Sequence, residues 1–139
     1  MKLALSFLSV ILLLTGCNRG SDAAIPKEML GTWVAEGVYP QAGGFKSTIT
    51  IAPNGRYMCH LVSHNASNAT RAYEIEGAFQ IKDGVLIDTM TKHSQTNAPV
   101  PMTFHERIVR MDRREMVLSN ESYLENTATN TVVWRKVSP

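Results

Sequence analysis

Cysteine is scarce in this chain: Cys17 and Cys59 are its two copies among 139 residues. If Cys17 is committed elsewhere, a disulfide framework is excluded unless Cys59 bridges to another molecule. An excess of either charge is also missing. The chain has 14 Lys and Arg against 12 Asp and Glu. So even a balance leaves no electrostatic case for a nucleic-acid partner. The arginines at 107, 110, 113 and 114 are interspersed with Glu106, Asp112 and Glu115, as on a solvated face. Contact with an anionic lipid or polymer is the alternative for this cluster. No stretch carries a helical period beyond a possible turn at 26–30, and no internal repeat occurs. There is no Gly-x-Ser-x-Gly elbow and no phosphate-cradling glycine loop, so no enzyme activity and no catalytic residue are assigned.

Metal and cofactor chemistry is equally thin. His60 and His64 are four apart, but they fall on a predicted strand and its following loop, where that spacing does not converge. His93 and His105 stand alone. Met58, Met90, Met102, Met111 and Met116, with His60 and His105, have the donor types of a copper site. Methionine more often fills gaps in a core, and no Met-x-x-Met run occurs. No metal or cofactor is expected. Cys59 lies between Tyr57 and Leu61 on an apolar strand, which favours a buried, inert thiol.

What is present begins at the N-terminus. Lys2 precedes a Leu/Ile/Val-rich run over 3–14, followed by the small residues Thr15 and Gly16. This is the layout of a secretory signal peptide, too short to remain as a membrane span. Without a twin arginine, the general secretory route is expected. Leu14-Thr15-Gly16-Cys17 resembles the lipobox of bacterial lipoproteins at all four positions. The resemblance implies a diacylglycerol thioether on the Cys17 sulfur and cleavage between Gly16 and Cys17. It further implies acylation of the new amino group by a chain such as palmitate. Two or three acyl chains anchor stably where one does not. Asn18 is not the aspartate that favours inner-membrane retention in that family, so the implied location is the outer membrane, facing the periplasm. The membrane, reached through this lipid, is the expected partner.

The predicted organisation is therefore a signal peptide over 1–16, a lipidated cysteine and tether over 17–26, and one domain over 27–139. From residue 29 the apolar period is near two, and turn signals recur roughly every 8 to 15 residues. Strands are predicted over 30–35, 45–51, 56–63, 71–82, 85–92, 102–111, 115–119 and 131–137. Asp83-Gly84 is the strongest hairpin signal, because a type I′ turn needs positive φ. Eight strands linked mostly by short turns predict an all-β, up-and-down antiparallel barrel. Closure removes exposed edges and leaves room for packed side chains or one small ligand.

Gly31-Thr32-Trp33, together with Arg135 in the last predicted strand, resembles the pattern of lipocalins and related bacterial lipocalin-like domains. The resemblance implies that Trp33 plugs one end of the barrel and that Arg135 packs on it. By alternation the inward face includes Ile49, Ile51, Tyr57, Cys59, Leu61, Tyr73, Ile75, Phe79 and Ile87. Strict alternation through Met102, Phe104 and Ile108 takes Glu106 inward too, where it could serve as a ligand handle. A bulge at Glu106 is the favoured alternative, since Val109 and Met111 are apolar on the other parity. Tyr57, Tyr73, Ile75, Phe79 and Glu106 are the candidate ligand-binding residues. The expected function is binding of a small apolar or amphipathic ligand. The alternative is a protein-binding barrel, an inhibitor or envelope-assembly partner without a small ligand. Tyr57-Met58-Cys59 resembles the Tyr-x-Cys of lipoprotein lysozyme inhibitors, but the second cysteine of that family's disulfide is missing.

Overall fold

The computed structural model describes residues 24–39, 43–65, 67, 69–120 and 131–137. The predicted signal peptide, Cys17 and most of the tether lie outside the described residues. A 3-10 turn, η1 (Lys27–Met29), is followed by eight strands. They are β1 (Gly31–Tyr39), β2 (Gly43–Ile51), β3 (Arg56–His64), β4 (Thr70–Lys82), β5 (Val85–His93), β6 (Met102–Met111), β7 (Glu115–Asn120) and β8 (Thr131–Lys136). Each strand pairs antiparallel with the next, and β8 returns to β1, so the sheet closes into an up-and-down barrel.

The turns follow from local chemistry. Asp83 and Gly84 have φ of 52° and 78°. They join β4 to β5 with Lys82 opposite Val85, as a two-residue type I′ connection requires. Asp112 shapes the β6–β7 turn by accepting the N–H groups of Arg114 and Glu115 at 2.7 and 2.8 Å. The two bulges sit elsewhere. Thr91 is the extra residue opposite the Glu76–Gly77 step of β4, and Val109 is the extra residue on β6.

The two ends of the barrel differ. At the end covered by η1, Met29, Trp33, Leu86 and Met116 are completely enclosed, with Ile51 and Tyr57 buried among them. The Trp33 indole Nε1 donates to the Met29 carbonyl at 2.8 Å, which ties the turn onto the core. At the opposite end, Phe45, Leu61, Tyr73, Ile75, Met102 and Phe104 are only half-buried. We call the first end closed and the second the mouth.

Three sequence expectations need correction. The cation over the Trp33 ring is Lys136, with Nζ 5.0 Å from the centroid, in place of Arg135. Arg135 pairs in register with Val34 and is exposed. Side chains alternate along a strand, so residues 135 and 136 cannot both face in. Ile87 is outward, opposite the exposed Gln80 and His105, and Leu86 takes the enclosed position. Glu106 is on the inward parity, opposite Leu86. The alternating burial of β6 runs unbroken from Met102 to Ile108. The bulge that resets it falls at Val109, which is 56% exposed, and Met111 then turns back onto the core.

Candidate functional site

The most unusual feature of the interior is a polar group set into the apolar wall. Tyr57, near the start of β3, donates its hydroxyl to Asp88 Oδ1 at 2.8 Å. To do so its ring crosses β4, the strand between them. Gly77 makes this possible. A Cβ at that position would lie 2.5 Å from both Cζ and the hydroxyl oxygen of Tyr57, and 2.5 Å from the Thr89 carbonyl oxygen. The same ring stacks on Phe79, with centroids 4.7 Å apart and planes 28° from parallel. A second aromatic lies over a glycine in the same way, Phe45 over Gly37.

Asp88 faces Phe104 across the β5–β6 ladder, and Leu86 faces Glu106. The two carboxyl groups are therefore diagonal neighbours on the inner face, where side chains still reach one another. Burial pushes the Asp88 carboxyl up to about 6, with the Tyr57 hydrogen bond opposing the shift. Burial pushes Glu106 up to about 7, and the negative charge of Asp88 adds to the effect. The Tyr57 phenol is raised, first by burial and then by Asp88, so at neutral pH it acts as a hydrogen-bond donor. Near pH 7 Asp88 is mainly ionised, whereas Glu106 stands at its midpoint. Such a pair can accept hydrogen bonds from, or neutralise, a ligand group that reaches the interior.

The structure brings Tyr57, Phe79 and Glu106 to one region and adds Asp88, which sequence reasoning missed. Ile75 and Tyr73 lie further toward the mouth on β4, opposite Cys59 and Leu61. Tyr73 is half-buried and tilts against His93, with ring centroids 5.1 Å apart. Arg71, Ala72, Tyr73, Ser94 and Gln95 line an open depression of about 380 Å³ at this end. Cys59 is buried, its thiol raised by burial, and its Sγ lies 3.1 Å from the Ser47 hydroxyl. Among the described residues no three or more His, Cys, Asp or Glu side chains come together as a metal site.

The signal for Asp88 was present in the hairpin. A two-residue turn at Asp83-Gly84 fixes which residues face each other, and it sets Phe79 opposite Asp88 and Ile81 opposite Leu86. Opposite residues share a face, so an inward Phe79 requires an inward Asp88. Hydrophobic pattern alone favoured Ile87, because 85–87 is apolar on both parities. No protein-family model matches the chain, and no curated protein matches it.

Proposed function

We propose that this chain is a lipid-anchored envelope lipoprotein. Its barrel takes a small apolar or amphipathic ligand through the mouth, and it acts by binding and not by catalysis. The observation that carries this reading is the gradient along the barrel axis. A filled, enclosed core at one end gives way to half-buried aromatic and aliphatic side chains at the other, with Asp88 and Glu106 set into the wall. A mostly apolar lining with a few convergent polar groups is the usual make-up of a small-molecule site. Half-buried carboxyls on an inner face lower the stability of a barrel that needs only to fold, so a ligand that uses them gives their presence a purpose. Their charge favours a head group that donates hydrogen bonds over a carboxylate. Support for the anchor is the lipobox alone, Leu14-Thr15-Gly16-Cys17.

A neutral fluorescent probe, N-phenyl-1-naphthylamine, titrated into the mature protein tests the barrel. Saturable binding that weakens in Ile75→Trp, measured where the variant is still fully folded, is the expected result. Absence of saturable binding would leave the protein-contact function in its place. The anchor is tested separately by intact mass of the membrane-extracted protein. The expected result is added acyl mass on Cys17, and Cys17→Ser protein that is soluble or unprocessed.

A further inference from the structure

Charges that nearly cancel along the chain separate on the barrel. The closed end gathers η1 and the turns at 52–55, 83–84 and 112–114. Lys27, Arg56, Lys82, Arg113 and Arg114 are exposed there. Lys136 joins them, its Nζ donating to the Glu28 carbonyl at 3.0 Å. Against these six cations the described residues of η1 and these turns carry three acids, Glu28, Asp83 and Asp112. Asp112 is bound into its own turn through the N–H groups of Arg114 and Glu115. Arg110 and Glu115, just above the turn, pair with each other. The closed end is thus a cationic cap, while the two interior carboxyls lie within the barrel wall.

The chain also enters at this cap. Ile25 packs against the core beside Gly55. Trp33 and Lys136 hold the η1 carbonyls of Met29 and Glu28. Six residues separate Cys17 from Ala24, the first described residue. Fully extended, that length spans at most ~25 Å, and as a coil about 13–16 Å. A lipid on Cys17 therefore tethers the barrel by its cationic end, with a slack of about two screening lengths of ~8 Å at physiological ionic strength, short enough that the cap can meet the surface.

We propose that the closed end, with Arg113 and Arg114 at its tip, is a docking surface for anionic phospholipid, and that the mouth points away from the membrane. The orientation rests on the lipid-anchor reading; the docking surface does not, and it is tested without the lipid. Mature-length protein carrying Cys17→Ser is sedimented with vesicles of phosphatidylcholine alone or rich in phosphatidylglycerol. The expected result is binding to the anionic vesicles only, lost at high salt, and weakened roughly fivefold for each arginine removed in Arg113→Ala and Arg114→Ala. Both side chains are exposed, so the variants fold. Lys46→Ala, on the outer face of β2 in a pair with Glu36, leaves binding unchanged. Equal binding to both vesicle types, no binding to either, or indifference to the arginines overturns the proposal. So does binding to a soluble polyanion such as polyphosphate without binding to vesicles. Intact mass of the wild-type protein decides the anchor independently of these outcomes.

Discussion

Replacing Glu106 with Gln tests the physical account of the barrel interior. The carboxyl moves from an ordinary 4.5 to about 7 in the fold, because burial and the neighbouring Asp88 charge both disfavour its ionised form. The folded state therefore holds this proton more tightly than the unfolded chain. Where the folded state binds more protons, stability falls as pH rises. Glu106 costs nothing below about 4.5, and its cost grows until pH passes about 7. One pKa unit is ~1.4 kcal/mol, so the whole displacement caps the cost at ~3 kcal/mol. Glu106 is half-buried, so solvent screens part of its charge and roughly 1–2 kcal/mol is expected. Asp88 acts with the same sign between 3.8 and about 6, and it remains in the variant. Below about pH 4.5 the two proteins should therefore lose stability in parallel as pH rises, through Asp88 alone. Between 4.5 and about 7 only the wild type bears the added Glu106 cost, so the curves diverge there and run parallel again toward pH 8, with Glu106→Gln ahead by that ~1–2 kcal/mol relative to the difference at pH 4.5. Urea unfolding followed by tryptophan fluorescence across this range measures it. The readout is the pH dependence and not the absolute stability, since a buried amide makes hydrogen bonds of its own. Parallel curves over the whole range would refute an inward, buried Glu106.

Gly77→Ala places a methyl group against the Tyr57 ring and the Thr89 carbonyl. It should cost ~1–3 kcal/mol by overpacking, and the Asp88 carboxyl should titrate at higher pH as the opposing Tyr57 hydrogen bond is lost. Chemical denaturation and carboxyl titration by NMR check both. Gly84→Val should cost ~1 kcal/mol or more through backbone strain alone, because nothing lies within 4 Å of a Cβ built there. Gly84→Asn, which tolerates positive φ, should recover most of that loss in the same unfolding measurement.

Much of this protein is legible without coordinates. Alternation in β2, β3 and β4 identifies Ile49, Ile51, Tyr57 and Phe79 as interior residues, and all four are buried. Asp83-Gly84 announces the hairpin that the φ angles show. These features are local: a period of two and a turn that needs positive φ are written in adjacent residues. The lipobox is local too, and it remains a matter of sequence, since Cys17 lies outside the described residues. Tertiary structure decided what depends on register and on distant neighbours. Residues 135 and 136 differ by one step, and only the pairing of β8 with β1 determines that Lys136 reaches Trp33. Glu106 faces inward because the β6 bulge falls at Val109, a placement that apolar residues on both parities left open. The contact between Tyr57 and Asp88 spans two strand boundaries and depends on the missing side chain at Gly77. The cationic cap arises because closure brings turns 30 residues apart to one end of the barrel, so a near-neutral chain folds into a body with a charged pole.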